Sequence, residues 1–498
     1  MDYLDPAKQR ANMIKLIVGY VLVGIAILFA TLILLYNAYG FGVNRAGQVI
    51  QKGFVYVSSQ PTGAQVSLNG NIDRSTTNAR LQLVAGQYQT EINRTGYRAW
   101  QRLISVDGGS VQHFDYPLLI PNKLLPSSLK SYSVAPSFTT QSPDKRWLIV
   151  QQDATPLIFD LFDLADSKKV LLTVTTVSLP DAVISAAKSG FSSWKLVEWS
   201  ADNRRLLVQH TYGDAVEYVL IDRLDPTASV NLTKTLSLRP SQQLSLLDKK
   251  YDRYYVFDVA AHTLSTTGLA ENGVVTPFID QVLGYKSFGS NVVLYVTNSL
   301  APADKVVTML RDGSATYKLR VQSAAGPYLL DIAQYNNDYY VVAGSGGDNK
   351  VYEYRNPQRV RKVSSTAVLV PIQVLKVTAA NHVEFSSNAQ YVMAGNGTNI
   401  ADYDAEYGKG YNFVAKFPID PPALHASWMD GHRLSYVSAG NVVIFDYDNI
   451  NGQVLVPASP AYQPIFNRDY DHVYTFTPIV GSVGMTLTAT SLLAPADQ

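Results

Sequence analysis

One long apolar stretch near the N-terminus constrains what this chain can fold into. No charged residue occurs between Leu16 and Asn44, and 14 of the 21 residues of Leu16–Tyr36 are Leu, Ile, Val or Phe. A helix rises about 1.5 Å per residue, so a stretch of this length spans about 30 Å, the thickness of a bilayer core. We therefore predict a tail at residues 1–15 and one membrane-spanning helix at residues 16–39.

The alternatives are a cleaved signal peptide and a buried core helix. The apolar region of a signal peptide has about 7–15 residues, and this stretch is longer. The best candidate cleavage site follows Ala38, where bulky Tyr36 stands in place of a small residue. We therefore expect an uncleaved signal anchor that attaches the protein to the membrane.

Basic residues at the two ends of the stretch predict its orientation. Lys8, Arg10 and Lys15 precede it, whereas only Arg45 and Lys52 follow closely. Cytoplasmic flanks carry the excess of Lys and Arg, which predicts a cytoplasmic N-terminus, a single pass through the cell membrane and an extracytoplasmic C-terminal region. The chain has no cysteine, and a cysteine-free ectodomain has no thiol to mispair in an oxidising space.

The overall charge excludes nucleic acid as a predicted partner. The chain has 498 residues, enough for more than one domain, with 41 Lys and Arg against 40 Asp and Glu. This balance creates no field that would attract a polyanion. The densest basic cluster has four members, which we expect in a solvated loop rather than a binding patch: Arg355, Arg359, Arg361 and Lys362.

Residue usage after the apolar stretch favours strands over helices. Tyr, Val, Thr and Leu occur in short runs that Gly, Asn, Asp and Pro interrupt. The segment Leu179–Gly190 is a modest helix candidate, and no long amphipathic helix is predicted after residue 45. The region is therefore expected to be all-β.

A first series of short strands follows a Gly-containing linker at residues 40–52. Phe54–Ser58 reads as a strand, and apolar residues alternate with polar ones at Ala64, Val66 and Leu68 before Asn69-Gly70, a strong hairpin signal. Further strands are predicted around Leu81 and Leu83 and from Tyr88 to Ile92, with turns between them. This pattern predicts a small β domain at residues 53–118.

The series resembles the PEGA domain, a small surface β-sandwich. The matching elements are Pro61-Thr62-Gly63-Ala64, Val66, Leu68, Asn69-Gly70, Gly86-Gln87-Tyr88 and Gly96-Tyr97. Thr62 replaces the family's Glu, and Ser75-Thr76-Thr77-Asn78 stands where the family has Gly-x-Thr-Pro. The resemblance implies an extracytoplasmic module without an active site.

A recurring unit follows a proline-containing connector at residues 119–130. Each unit is a polar turn, an apolar strand and a second strand that ends near Asp. Four copies are clear and begin at Ser142, Trp199, Phe385 and Trp428. Weaker copies centre on Asp248–Phe257, Phe288–Val296, Asn336–Val342 and Phe466–Tyr474. The spacing of roughly 40–58 residues is the period of a propeller blade.

These copies resemble the Trp-Ser-Pro-Asp-Gly-Lys repeats of TolB-type and WD40-like β-propellers. A lone four-stranded blade leaves its apolar faces open, so neighbouring blades must stack around an axis. We predict a propeller at residues 131–495 with eight blades, or with seven if the first and last units complete one shared blade. The predicted fold is an all-β ectodomain, a PEGA-like sandwich plus a propeller, behind one transmembrane helix.

The sequence contains no recognisable catalytic motif. Gly-x-Ser-x-Gly is absent, and Gly344–Lys350 lacks the P-loop spacing, so it is expected to form a hairpin loop. The seven His residues, among them His425 and His432, show no zinc-site spacing. We predict no catalytic, cofactor-binding or metal-binding residue, and the ligand-binding residues are unknown.

Two acidic stretches leave calcium binding open. They are Asp402–Glu406 and Asp446–Gly452. Calcium takes about six to eight oxygen ligands, and neither stretch has the complete EF-hand pattern. Structural turns closed by Asp side chains are the favoured interpretation.

The predicted function is that of a membrane-anchored scaffold that presents a propeller to a protein or a cell-envelope polymer. A propeller-based enzyme, either a lyase or a glycan hydrolase, is one alternative, and it would need carboxylates that converge at the channel. A subunit of a larger membrane-associated envelope complex is the other. Fold alone does not decide among them.

Overall fold

The computed structural model describes residues 6–43, 47–152, 157–165, 173–185, 192–271, 273–364 and 367–497. These residues form two compact units. The first contains Met1–Lys123 and Leu493–Asp497, and the second contains Leu124–Leu492. Arg45 of the predicted membrane flank lies outside the described residues.

The N-terminal helix α1 runs from Pro6 to Ala38. Its apolar side chains are exposed: Leu34 is 69% exposed and Tyr20 is 71% exposed. The segment Gln9–Tyr36 is long and apolar enough to cross a membrane, and none of its most apolar window is buried inside the protein. The helix is therefore a candidate membrane anchor or signal sequence, and its exposure argues against a buried core helix. It begins ahead of the predicted residue 16 because Pro6 suits the first helical position and no breaker follows.

The rest of the first unit contains eight strands. They are β1 (Phe41–Val43), β2 (Val49–Val57), β3 (Gln65–Leu68), β4 (Asn71–Thr76), β5 (Ala79–Val84), β6 (Gly86–Asn93), β7 (Trp100–Val106) and β8 (Val111–Phe114). One sheet has the order β1-β2-β5, with β8 parallel to β2, and the other has the order β4-β3-β6-β7. We call this pair of sheets the sandwich.

The sandwich core contains the apolar residues that alternate along its strands. Every second residue of β7 is buried, as period-2 patterning requires. Val55, Val66, Ile92 and Trp100 are at most 1% exposed and pack in one cluster. The predicted Asn69-Gly70 hairpin joins β3 and β4, and both turn residues have positive φ (50° and 78°).

The chain returns to the first unit after its long excursion through the second. The Tyr97 hydroxyl donates to Asp497 Oδ2 (2.7 Å) and accepts from the Ala494 amide (2.7 Å). Arg94 forms an ion pair with the same carboxylate. Leu493–Asp497 therefore belongs to the sandwich unit, although the repeat pattern placed residues 493–495 in the propeller.

The second unit begins with β9 (Pro126–Tyr132), which lies mostly in the predicted connector. The next four sheets, which we number blades 1 to 4, take their strands in chain order. These strands are β10 (Thr139–Gln141), β11 (Trp147–Gln151), β12 (Ile158–Asp163) and β13 (Val174–Ser178); β14 (Ser192–Trp199), β15 (Arg205–Tyr212), β16 (Ala215–Asp222) and β17 (Val230–Asn231); β18 (Gln242–Leu246), β19 (Arg253–Asp258), β20 (Thr263–Gly268) and β21 (Thr276–Asp280); and β22 (Gly284–Phe288), β23 (Val292–Thr297), β24 (Lys305–Asp312) and β25 (Ala315–Ser323).

Blades 5 to 7 follow the same plan, and blade 8 closes the ring. Their strands are β26 (Tyr328–Tyr335), β27 (Asp338–Ser345), β28 (Lys350–Arg355) and β29 (Gln373–Leu375); β30 (His382–Phe385), β31 (Tyr391–Asn396), β32 (Asn399–Asp404) and β33 (Lys409–Val414); β34 (Ser427–Trp428), β35 (Arg433–Ser438), β36 (Asn441–Asp446) and β37 (Gln453–Pro457); and β38 (Ile465–Phe466), β39 (His472–Pro478) and β40 (Met485–Ser491).

Strand β9 completes blade 8 by pairing antiparallel with β40. The first and last parts of this unit thus share a sheet, as the seven-blade alternative supposed. The described residues nevertheless form eight four-stranded sheets in the second unit. This pairing covers an edge that a propeller would otherwise leave open.

Apolar clusters fill the spaces between neighbouring blades. Leu206 and Ile149 belong to the cluster between blades 1 and 2, and corresponding clusters join the successive pairs up to blades 6 and 7. Another cluster joins blade 8 to blade 1. Blades 7 and 8 meet where the Ser459 amide donates to Phe476 O (2.7 Å). The predicted fold class, a small sandwich plus a β-propeller behind one apolar helix, is confirmed.

The repeated polar turn joins the first and second strands in blades 1, 2 and 6. In blade 1, Ser142 Oγ accepts from the Trp147 amide (2.9 Å), and the Lys145 amide donates to Ser142 O (2.8 Å). Ser200 and Ser386 make the same contacts in blades 2 and 6. The fourth residue of these three turns, Lys145 in blade 1, has φ between 53° and 60°.

Short helices occur where the sequence predicted none or predicted a loop. These are α2 (Leu232–Thr235) and α3 (Pro357–Val363). The basic cluster predicted as a loop lies mostly on α3, because Pro357 pre-sets the backbone at the first helical position. The helix candidate Leu179–Gly190 contains a 3-10 turn at Asp181–Val183, and its residues 186–190 lie outside the described part of the chain.

Candidate functional site

Among the described residues, contacts that use side chains connect the first strands of neighbouring blades in a ring, and Gln463, two residues before β38, makes one of the contacts of blade 8. In order around the described residues, the contacts are Trp199 Nε1 to Thr140 Oγ1 (3.0 Å), the Leu246 amide to Glu198, Ser245 Oγ with Tyr285 OH (2.6 Å), Lys286 Nζ with Asp331 Oδ1 (3.0 Å), the Phe385 amide to Asp331 Oδ2 (3.1 Å), Trp428 Nε1 to Glu384 O (3.0 Å), Gln463 Nε2 to Ser427 Oγ (3.2 Å) and Gln141 Nε2 to Phe466 O (2.7 Å). We call this set the inner ring.

The inner strands differ in length around the ring. We call β14, β18, β22 and β26 the long-strand arc; they have 8, 5, 5 and 8 residues. We call β34, β38 and β10 the short-strand arc; they have 2, 2 and 3 residues. Each arc borders a cavity, and the two cavities differ in size and chemistry.

The charged cavity lies along the long-strand arc and has a volume of about 750 Å³. Its lining includes the acids Glu198, Asp248 and Asp331 and the bases Lys249 and Lys286. Lys249 is exposed, and the Lys286 side chain is 51% exposed although it pairs with buried Asp331. The cavity therefore presents both signs of charge on the inner strands and on the 3-10 turn at Leu247–Lys249.

The protein environment perturbs an acid in this cavity. Burial raises the pKa of the Glu198 carboxyl, while the Leu246 amide, Lys249 and Lys286 act in the opposite direction. Burial also raises the pKa of Tyr285, so its hydroxyl stays protonated beside Ser245. A partner that brings a cation to Glu198 would favour the ionised carboxylate.

The aromatic cavity lies along the short-strand arc and has a volume of about 150 Å³. Trp428, Tyr436 and Tyr462 line it together with polar groups of Gln141 and Gln463. Inner strands of two residues leave little backbone on this side, and side chains form the wall instead.

A Ser–His–carboxylate arrangement that the sequence analysis missed crosses blade 2. Ser192 Oγ lies 2.8 Å from His210 Nε2, and His210 Nδ1 lies 2.8 Å from Glu217 Oε1. This is the hydrogen-bond order of an activated nucleophile. The hairpin turn at Gly213-Asp214 places residue 210 opposite residue 217, so hairpin pairing could have revealed the His–Glu pair.

The residues around this arrangement indicate that it stabilises blade 2. His210 is fully buried, and the rings of Trp194 and Tyr212 stack on it with centroids 4.4 and 5.5 Å away. Glu217 also accepts from the Ser185 amide (2.8 Å) and Asn231 Nδ2 (2.7 Å). These hydrogen bonds lower the pKa of Glu217 against the effect of its burial. The side chains of Ser192, His210 and Glu217 line neither the charged cavity nor the aromatic cavity.

The two acidic stretches lie on neighbouring blades. Asp404 Oδ1 accepts from the amides of Glu406 (2.9 Å) and Tyr407 (3.3 Å), so it closes a turn. Asp446 Oδ2 accepts from Asn451 Nδ2 (2.8 Å). Within the described ranges, no group of three or more His, Cys, Asp or Glu is placed to hold a metal ion.

Two acids are buried without hydrogen-bond partners in the described part of the chain. Glu353 and Asp402 are fully buried, and both carboxylate oxygens of each are unpaired. Burial raises the pKa of each well above its ordinary value. Burial therefore favours the neutral form of each carboxyl group.

The other residues that the sequence analysis singled out have local partners. Arg355 and Arg359 pair with Asp338, and Lys362 pairs with Asp312. Gly344–Lys350 joins β27 and β28 around a 3-10 turn at Gly346–Asp348. His425 stacks on His382 with centroids 3.5 Å apart.

The fold and its inner ring define a β-propeller protein that also carries a small β-sandwich and an N-terminal apolar helix. The model of the PEGA domain family matches residues 52–120, which cover the sandwich strands β3 to β8 and most of β2. The predicted combination of a PEGA domain with a propeller is confirmed.

Several solved propeller-containing structures are similar to the chain. The Dos1 propeller is 14% identical, with a TM-score of 0.44 over 74% of this chain and 96% of that chain. The dihydro-heme d1 dehydrogenase NirN is 11% identical, with a TM-score of 0.40 over 65% of this chain and 66% of that chain. Oligogalacturonate lyase in complex with manganese is 10% identical, with a TM-score of 0.39 over 75% and 99%. None of the curated proteins matches the chain.

Proposed function

We propose that this protein is a membrane-anchored, extracytoplasmic scaffold that binds a protein partner at the charged cavity. In this proposal residues 1–15 are cytoplasmic, residues 16–39 cross the membrane, and the sandwich and propeller lie outside. The observation that carries it is a cavity of about 750 Å³ lined by both signs of charge along a rigid inner ring.

The chemistry of the cavity supports a protein partner. Charges of both signs match a folded surface, which carries Lys, Arg, Asp and Glu interspersed, better than a uniformly charged polymer. Apolar side chains of Leu244, Phe288 and Ile332 lie among the charges and add area for desolvation. Asp331 and Lys286 hold each other in place, so little side-chain entropy is lost on binding.

The absence of cysteine makes a specific test possible. A photocrosslinker attached to Gln243→Cys, an exposed position that lines the cavity, should capture one protein in intact cells. The charge reversals Lys249→Glu and Lys286→Glu should reduce that capture at least tenfold. The matched reversal Lys305→Glu, which lies outside the cavity lining, should leave it unchanged. Capture that survives both cavity reversals would contradict the proposal.

The predicted orientation has a separate test. Asn71→Cys lies in the sandwich and Gln9→Cys lies near the start of α1, and both positions are exposed. A membrane-impermeant maleimide applied to intact cells should label the Asn71→Cys protein and spare the Gln9→Cys protein. The reverse pattern would contradict an extracytoplasmic propeller. Labelling of neither would place both positions inside the cell.

A further inference from the structure

A half-buried lysine faces the aromatic cavity. Lys145 lies in the polar turn of blade 1 and lines the cavity together with Gln141. Its ammonium donates to Met429 O and stands 4.6 Å from the Tyr470 ring centroid. One carbonyl and one ring face satisfy only part of an ammonium group that has three N–H donors.

The acids nearest to Lys145 are engaged elsewhere. Asp430 forms an ion pair with Arg433, and Glu384 contacts His382 (3.4 Å). None of the described carboxylates forms an ion pair with Lys145. Burial therefore dominates, and it lowers the pKa of Lys145 to about 8.

The backbone at this position makes the lysine more unusual. Lys145 has φ of 60°, and the equivalent turn positions in blades 2 and 6 hold Asn203 and Ala389. A left-handed conformation favours Gly, Asn or Asp over a long side chain. A cation that is half-buried, weakly paired and in a costly backbone conformation is a functional-site candidate.

Aromatic rings form a second part of the wall, and their polar atoms point to other partners. Trp428 Nε1 donates to Glu384 O (3.0 Å), Tyr436 OH to Phe417 O (2.6 Å) and Tyr462 OH to Pro136 O (2.7 Å). These hydrogen bonds hold the rings in place. The rings therefore offer mainly their apolar surface to the cavity.

Amide and hydroxyl groups form the third part. Gln141 Nε2 donates to Lys145 O (3.0 Å) and Phe466 O (2.7 Å), which leaves its carbonyl oxygen as an acceptor. Gln463 Nε2 donates to Ser427 Oγ (3.2 Å), which orients the serine hydroxyl as a donor. The cavity thus combines one cation, fixed rings and both donors and acceptors.

We infer that the aromatic cavity binds an acidic sugar residue, with its carboxylate on Lys145, its ring against Trp428 and Tyr462, and its hydroxyls on Gln141, Gln463 and Ser427. A cavity of about 150 Å³ is the size that holds a six-membered ring. An aromatic acid would leave the amides unused, and a neutral sugar would leave Lys145 without a counter-ion. This inference does not depend on the protein partner proposed for the charged cavity.

Isothermal titration calorimetry of the full chain in detergent micelles tests the inference with D-glucuronate as the probe. Glucuronate should bind at millimolar concentration or below, and D-glucose and benzoate should each bind at least tenfold more weakly. The variant Lys145→Gln should lose at least tenfold in glucuronate affinity. Lys249→Gln, in the charged cavity, should bind as the native protein does.

Each contrary result would overturn the inference. If glucose bound as tightly as glucuronate, Lys145 would not recognise the carboxylate. If benzoate bound as tightly, the amides would not recognise the sugar hydroxyls. Unchanged affinity in Lys145→Gln, or no binding of glucuronate at about 10 mM, would reject the site. Ser427→Ala tests the same cavity and leaves Lys145 in place. It should weaken glucuronate binding while its melting curve by circular dichroism stays native.

Discussion

The long-strand arc and the short-strand arc both hold neighbouring blades together, but they do so with different chemistry. In the long-strand arc, β22 and β26 are joined by an ion pair between Lys286 and Asp331. In the short-strand arc, β38 and β10 are joined by a neutral hydrogen bond from Gln141 Nε2 to the Phe466 carbonyl (2.7 Å). Long strands can supply charged side chains and still pair along their backbone, whereas two-residue strands leave the wall to rings and amides. The arcs therefore offer two different binding surfaces on one frame.

The largest expected effect comes from Asp331, which links two neighbouring strands. Asp331→Ala removes the partner of Lys286 and the acceptor of the Phe385 amide, so we expect a loss of about 2–4 kcal/mol in the free energy of unfolding. Urea denaturation of the full chain in detergent measures it. The control Asp312→Ala breaks an exposed pair with Lys362 and should cost less than about 1 kcal/mol. Equal losses in both variants would show that the inner ring adds little to closure.

The short-strand arc should respond to pH through Lys145. Because burial lowers the pKa of Lys145 to about 8, folding disfavours its charged form below pH 8. In the unfolded chain the lysine titrates near its ordinary pKa. The loss in the free energy of unfolding that the charged lysine causes therefore shrinks as the pH rises from about 8 to about 10.5. Lys145→Met should therefore be more stable than the native protein by about 1–3 kcal/mol at pH 7, and the difference should shrink steadily as the pH rises from about 8 towards 10.

Urea denaturation at several pH values between 7 and 10 checks this expectation. Asp430, Glu384, Tyr470 and His425 face the same region and are present in both proteins, so only their coupling to the charge of Lys145 enters the difference. A constant difference across the range would mean that Lys145 titrates as a solvated lysine. A less stable Met variant at pH 7 would show that the Met429 carbonyl and the Tyr470 ring outweigh the burial.

A third test concerns the outer part of blade 5, whose inner strand belongs to the long-strand arc. Glu353 is fully buried with a raised pKa, so the folded protein holds a proton that the unfolded chain releases as pH rises above its ordinary range. Glu353→Met should stabilise the protein by about 1–3 kcal/mol at pH 7, and by less near pH 4. Thermal melts at the two pH values measure the difference, and a destabilised variant would reveal a partner for the carboxylate.

The smallest expected effects come from removing one neutral hydrogen bond made by a side chain of each arc. Trp428→Phe removes the bond to Glu384 O, and Ser245→Ala removes the bond to Tyr285 OH. Each should cost about 1 kcal/mol, because each deletes one neutral hydrogen bond. A much larger loss in Trp428→Phe, measured by the same urea denaturation, would show that the aromatic wall supports the short-strand arc by packing as well.

Local patterns carried much of the fold. The Asn69-Gly70 hairpin and the clear polar turns at Ser142, Ser200 and Ser386 depend on residues close in sequence, and their backbone conformations follow from those residues. The basic cluster on α3 was harder to predict, because a seven-residue helix has weak propensity and depends on Pro357 and its tertiary contacts. Strand β9 was also hard to predict, because its partner β40 lies more than 350 residues away in the chain.

The candidate sites were out of reach of sequence patterns. Glu198, Lys286 and Asp331 lie on three different blades, and Lys145 approaches Trp428 only after the ring closes. No spacing rule links such residues, because the stacking of blades sets their distances. The arrangement of Ser192, His210 and Glu217 could be predicted in part. Hairpin pairing predicts the contact between His210 and Glu217 but not their burial.

The sequence by itself determined the apolar helix, the PEGA-like strands and the repeating blades, because hydrophobic periodicity and turn chemistry act over a few residues. Only the tertiary structure decided that β9 closes blade 8, that Leu493–Asp497 returns to the sandwich unit and that two unlike cavities line the two arcs. These features depend on contacts between distant segments, whose entropic cost is met only when the whole ring forms.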